Sequence, residues 1–312
     1  LRAYQQAARA PRLERMPVVA RAGRAVLRDY GGAGPPAVFV PSLINPPHIL
    51  DLAEGNSLLR WLAANRVRPL LVDWGAPAPG EAELDVTGHV ETMLAPLAAA
   101  LGEPAHLVGY CLGGTMAAGA AALAAPLSLT LIATPWRFSG FPDDAREGLT
   151  ALWEQAEPPA RALGVLPMEV LQTAFWRLDP GRTVGKFEAF ADFPPDGERA
   201  RAFVALEDWA NDGPPLTFSA ARELIESLFL ADATGRGEWR VGGKPVDPVA
   251  LACPVLDIVS TSDRIVPAAS ASGAGERIDL AQGHVGMVVG GRARETLWEP
   301  LRERLSRTQP RG

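Results

Sequence analysis

The stretch that most constrains this chain runs from residue 105 to 125. Ala105-His106-Leu107-Val108 is short and apolar, Gly109-Tyr110-Cys111-Leu112-Gly113-Gly114 has glycine on both sides of a single cysteine, and Thr115 to Ala125 is rich in alanine. A buried strand turning sharply into a helix reads this way, with Cys111 at the apex. The glycines have a steric reason: the apex residue of such a turn is strained, and side chains beside it would collide with the neighbouring strand and helix. Cys111 is therefore expected at the carboxyl end of a sheet and at a helix N-terminus, where free N–H groups and the macrodipole favour a thiolate. Alone, the hexapeptide also reads as a tight turn with a buried thiol, so the partners of Cys111 have to decide.

The rest of the chain repeats the strand-then-helix rhythm. Pro35 to Pro41 and Val67 to Trp74 are continuous apolar runs, the pattern of strands buried on both faces. Val18 to Tyr30 reads as a strand pair and Glu54 to Asn65 as a helix. Asp85 is placed to cap a helix with Val86, Val90, Met93, Leu94, Leu97 and Leu101 on one face, kinked at Pro96. Leu127 to Thr134, Pro254 to Ser260 and Arg277 to Ala281 complete the strands, and a closing helix carries Ala293, Leu297, Leu301 and Leu305. This alternation implies an α/β fold with a mostly parallel, doubly wound sheet.

Residues 136–250 interrupt the rhythm, yet contain nine of the ten Phe and five of the eight Trp. Aromatics in that number must be buried, so the segment is read as a helical cap inserted before the last strands. They form the core of the cap, or some line an acyl pocket or a dimer contact. Residues 1–135 and 251–312 are then the two parts of one α/β core.

A net charge of −6 gives no electrostatic reason to expect nucleic acid or an anionic membrane as partner. The span between Glu103 and Arg137 carries no charged side chain, but its glycines, Pro126 and many alanines favour a buried strand–helix–strand over a transmembrane helix. Arg2, Arg9, Arg12 and Arg15 mark a basic N-terminal arm without an apolar stretch of signal-peptide length. With only Cys111 and Cys253 there is no disulfide framework. Both are read as reduced, and the compartment as cytoplasmic.

Each of three residues stands just past the end of a strand, in the order Cys111, Asp263, His284. That is nucleophile, acid and base in the chain order of the α/β-hydrolase fold. A thiol is mostly protonated at neutral pH, so His284 is needed to take its proton and Asp263 to fix the imidazole tautomer. The other histidines, His48, His89 and His106, sit where structural roles are expected, and Asp257 and Asp279 lie within strands. An oxyanion needs two N–H donors: the backbone of Leu112, after the nucleophile, and a second from the loop at Leu43 or Ile44. No His-x-x-x-His or Cys-x-x-Cys spacing suggests a metal, and Gly109 to Gly114 lacks the dinucleotide pattern, so no cofactor is expected.

Several segments together resemble the polyhydroxyalkanoate synthases: Val40-Pro41-Ser42-Leu43-Ile44-Asn45, Asp73-Trp74-Gly75, Gly109 to Gly114, Ala133-Thr134-Pro135, Cys253-Pro254-Val255-Leu256 and Gly283-His284-Val285-Gly286. The resemblance spans roughly residues 25–305 and is nearest to the shorter synthases that work with a second subunit. Ser262-Asp263-Arg264, Ser42 and Trp136-Arg137 depart from the usual residues. The resemblance implies an acyltransferase moving 3-hydroxyacyl groups from coenzyme A thioesters through Cys111 to a hydroxyl, with His284 as base and Asp263 as its acid partner. It also implies a homodimer or second synthase subunit, and a polymer granule surface as partner. The competing expectation is a Cys-His-Asp esterase, thioesterase or polyester depolymerase, which takes the same steps with water as acceptor.

Overall fold

The computed structural model describes residues 1–307 apart from 179 and 196. The apolar runs form one eight-stranded sheet. Its strands are β1 (Val18–Ala22), β2 (Ala25–Asp29), β3 (Pro36–Val40), β4 (Arg68–Asp73), β5 (His106–Tyr110), β6 (Ser128–Ile132), β7 (Val255–Ser260) and β8 (Glu276–Leu280). Their spatial order is β1-β2-β4-β3-β5-β6-β7-β8. Only β2 is antiparallel to its neighbours, and all later pairs are parallel. The chain therefore leaves β3 for β4 on one side and enters β5 on the other. That reversal puts the carboxyl ends of β3 and β5 side by side, with Val40 opposite Gly109. In open α/β sheets the crevice at such a switch point is where ligands bind.

The helices are α1 (Arg2–Gln6), α2 (Leu58–Ala64), α3 (86–99), α4 (Leu112–Leu123), α5 (Asp143–Leu163), α6 (Met168–Leu178), α7 (Pro180–Ala191), α8 (Glu198–Ala210), α9 (218–230), α10 (Gly286–Val289) and α11 (294–307). Successive strand residues bury on opposite faces, as the pleat requires. Val38, Val40, Leu70 and Val72 pack with α3 and α4, whereas Ala37, Phe39, Leu71 and Val108 pack with α2 and α11. Leu297, Leu301 and Leu305, expected on one face of the last helix, are all buried there.

One local expectation is corrected. The helix expected from Glu54 begins only at Leu58, because Asp51–Ala53 and Asn56–Ser57 first form a small hairpin turning at Gly55, whose φ is +76°. Ser57 then caps α2 by accepting from the Arg60 N–H at 3.0 Å. Helix α3 carries a π-turn over Val90–Leu94, two residues ahead of Pro96. The uncharged run between Glu103 and Arg137 becomes β5, α4 and β6, and no helix among the described residues is long and apolar enough to cross a membrane.

Helices α5 to α9 all lie between β6 and β7. Their aromatics pack largely on one another. Phe190 stacks on Phe203 beside Tyr4 of α1, Phe141 packs between Phe138 and Phe229, and Trp153 stacks on Phe218. Trp176 and Trp209 leave this arrangement: Trp176 on α6 is half exposed, against the expectation of burial, because its side of the helix faces solvent, and the Trp209 indole N–H donates to the Pro46 carbonyl at 2.8 Å, tying the end of α8 to the loop after β3.

Candidate active site

Cys111 lies between β5 and α4 with φ 57° and ψ −134°, a backbone conformation that a residue with a side chain rarely adopts. The turn is held by the Cys111 N–H donating to the Ile132 carbonyl at 2.9 Å and the Gly114 N–H donating to the Cys111 carbonyl at 2.8 Å. Each flanking glycine has a separate steric cause. A Cβ on Gly109 would overlap the Gly114 backbone, on Gly113 the backbone of Val40 and Pro41, and on Gly114 the side chain of Thr134. Strand end, helix start and the loop after β3 are thus packed at backbone contact around the thiol.

Asp263 and His284 come from the loops after β7 and β8. Asp263 Oδ1 accepts from the N–H groups of Ile265 (2.7 Å) and Val266 (3.0 Å), which leaves Oδ2 for His284 Nδ1 at 2.6 Å. With Nδ1 facing Asp263, the Nε2 edge of the ring is turned away from the carboxylate, and Cys111 is near enough to act on the imidazole. Burial by itself would depress the imidazole. Negative charge at Cys111 and Asp263, with hydrogen bonds to both, outweighs it and raises His284 from 6.5 to about 10. The three residues found in chain order are therefore brought together in space, with the His284 and Asp263 side chains 8% and 0% exposed.

The residues set aside occupy other places. Asp257, buried on β7, accepts from the Ser272 N–H and hydroxyl and the Gly273 N–H, and burial pushes its carboxyl up. His89 bonds the Asp85 carbonyl and Arg24, and His106 bonds Ser128. Cys253 is a half-buried free thiol ahead of β7.

The two oxyanion regions differ in what they offer. Leu112 opens α4, where a first-turn N–H has no intrahelical acceptor. In the β3 loop the Ile44 N–H donates to the Ser42 hydroxyl at 3.1 Å, whereas the Leu43 N–H has no partner among the described residues. Two buried indoles hold this loop, Trp74 at the Pro41 carbonyl (3.0 Å) and Trp209 at the Pro46 carbonyl. Trp74 belongs to a motif visible in the sequence; nothing local singles out Trp209. A cavity of about 1300 Å³ borders this loop, between Leu43, Asn45 and His48 and the arm bearing Arg12 and Arg15. Its lining does not include Cys111, Asp263 or His284. Among the described residues no group of three or more His, Cys, Asp or Glu side chains is arranged to hold a metal ion.

No protein-family model matches the chain. Among curated proteins it is 28% identical over 284 residues to the poly(3-hydroxyalkanoate) polymerase subunit PhaC of Haloferax mediterranei, covering 84% of this chain and 57% of that protein. It is 27% identical over 279 residues to the PhaC subunit of Allochromatium vinosum, covering 83% and 77%. The PhaC subunit of a Synechocystis strain is 26% identical over 297 residues, covering 88% and 78%. Solved structures share the α/β-hydrolase fold alone. A thermophilic esterase from Thermogutta terrifontis has TM-score 0.57 at 19% identity, covering 96% of this chain and all of that one. The enol-lactonase from Burkholderia xenovorans LB400 has TM-score 0.58 at 16% identity, covering 93% and 100%.

Proposed function

We infer that the chain belongs to the polyhydroxyalkanoate synthase family, built on the α/β-hydrolase fold, and on that premise we propose that it takes 3-hydroxyacyl groups from coenzyme A thioesters onto Cys111 and passes them to a hydroxyl. The observation that carries this reading is the cysteine at the strained apex, within reach of a buried imidazole whose Nδ1 is held by Asp263 at 2.6 Å. His284, raised to about 10, holds the proton of the thiol, and the Cys111 thiolate attacks the thioester carbonyl. The oxyanion is met by the Leu112 N–H and by a donor at Leu43 or Ile44; the unspent N–H of Leu43 favours the former of the two. Collapse breaks the bond to coenzyme A, whose sulfur takes the proton back from His284.

The choice of sulfur suits transfer. Exchange of one thioester for another loses little transfer potential, whereas a serine would drop to an ester at this stage. The hydroxyl of a second hydroxyacyl unit then gives its proton to His284 and attacks the Cys111 thioester. A C–O bond forms, the C–S bond breaks, and the released thiolate recovers the proton. Water must be excluded for this to yield polyester. The docking of α8 on the loop after β3 through Trp209 supports such exclusion.

A second copy of the chain or a second synthase subunit, and the surface of a growing polyester in the cytoplasm, are the partners in this reading. The test supplies 3-hydroxybutyryl coenzyme A to the protein with and without such a subunit, and compares released coenzyme A, polymer mass and free hydroxy acid. Polymer that accounts for the coenzyme A is the expected result. Free acid accounting for all turnover, with rapid cleavage of p-nitrophenyl esters, would make the chain a Cys-dependent hydrolase instead.

A further inference from the structure

Tyr110 is the last residue of β5 and stands directly before Cys111. Alternation along the strand sends Gly109 toward α4 and Tyr110 to the opposite face, into the cluster that holds Met287 and Val288 of α10. There its ring stacks on the imidazole of His284, with centroids 5.1 Å apart and planes at 28°. Its hydroxyl donates to the backbone carbonyl of His284 at 3.2 Å. The side chain is buried, and burial, followed by negative charge at Cys111 and Asp263, raises the phenol well above its ordinary value, so it remains a neutral donor. His284 is therefore held at three places: Asp263 at Nδ1, the Tyr110 hydroxyl at the main chain, and the Tyr110 ring across the imidazole face.

We propose that Tyr110 is a positioning residue for the base, its ring fixing the plane in which the imidazole meets Cys111 and favouring the imidazolium that forms when the thiol gives up its proton. An aromatic face attracts a cation lying against it, whereas an aliphatic side chain of equal bulk offers no such preference. The two contacts have separable consequences. The hydroxyl bond reaches only the His284 main chain, so the ring should carry most of the effect on the charge of the imidazole. This inference rests on Cys111 as nucleophile and His284 as base, not on whether the acceptor is a hydroxyl or water.

The test is the pH dependence of Cys111 alkylation by iodoacetamide on the full chain, over about pH 5 to 9, because the thiolate is the reacting form. Mass spectrometry assigns the adduct to Cys111 rather than Cys253, and circular dichroism checks the fold of each variant. Tyr110→Leu should move the low-pH limb upward by about 0.4 to 0.7 units, slowing alkylation there about 2.5- to 5-fold. Tyr110→Phe, which keeps the ring, should stay within about 0.2 units of the wild type. Tyr110→Met fills similar space without a ring face and replaces the leucine variant if that one does not fold. An unshifted limb in a folded Leu or Met variant overturns the inference, as does a Phe variant shifted as far as they are. His284→Ala separates the two levels of the argument: if it alkylates like the wild type, the assignment of the base fails, whereas unshifted Tyr110 variants beside an altered His284→Ala refute only the role of Tyr110.

Discussion

Gly113→Ala tests whether the loop after β3 is mechanically part of the chemistry. A Cβ at this position would stand 2.1 Å from the Val40 carbonyl oxygen and 2.6 Å from both the carbonyl carbon and the oxygen of Pro41. Ordinary contact begins at 3.4 Å, so Val40 has to retreat by about 1.3 Å and Pro41 by about 0.8 Å, the differences of 3.4 from 2.1 and 2.6. These are backbone atoms on the segment that leads to Leu43 and Ile44, and the indole of Trp74 holds the Pro41 carbonyl. They cannot swing aside as the tip of a side chain does. Overpacking of this kind costs about 1–3 kcal/mol. A displacement approaching 1 Å at a group that must meet the oxyanion is worth about 100-fold in rate. Single-turnover acylation of Cys111 from a thioester, with a denaturant midpoint measured alongside, should show that loss in a chain that remains folded. Gly148→Ala, in α5 with nothing within 4 Å of the added methyl, is the counterpart. It should stabilise by about 0.5–1 kcal/mol and leave the acylation rate alone. Wild-type acylation and stability in Gly113→Ala would refute the reasoning, because the loop would then have moved without consequence.

Asp263→Asn should lower acylation by about 10³- to 10⁴-fold with the fold intact. Its amide oxygen would continue to accept from Ile265 and Val266, turning the NH2 toward His284 Nδ1 and inverting the imidazole tautomer. A near-normal burst of acyl-enzyme would mean that another group orients the base. Acid should destabilise the fold through His89 and His106, both held down to about 4, chiefly by burial. The unfolded chain takes up these protons near 6.5, so the stability tied to the neutral rings is complete above about 6.5 and is lost as the pH falls from there to about 4. Urea midpoints across that window should fall less steeply in His106→Gln, and an unchanged slope would argue against the assignment.

Much of the site was legible because its constraints are local. The glycines around Cys111 are required by backbone contacts within one turn and its neighbouring strands, and the strand ends that bear Asp263 and His284 follow from apolar runs bounded by polar loops. The start of α2 was not legible. It depends on a hairpin whose Asp51 is fixed from outside by the Tyr30 hydroxyl at 2.9 Å and the Arg60 guanidinium at 2.8 Å. The aromatics between 136 and 250 had to be buried on composition alone, but composition does not say against what; most meet each other, and Trp209 meets Pro46.

The sequence by itself determined the strand–helix alternation, the strained apex at Cys111 and the chain order of nucleophile, acid and base, since each rests on periodicity, glycine placement or spacing along the chain. Tertiary structure alone decided the order in which the strands pair, and so which loops meet at the switch point between β3 and β5. It decided that the Ile44 N–H is spent on Ser42 while that of Leu43 is not, and that Tyr110 lies flat on an imidazole 174 residues away. The physical reason is the same in each case. Backbone conformation is governed by near neighbours in the chain, whereas hydrogen bonds and ring contacts between distant loops exist only once packing has fixed where those loops end.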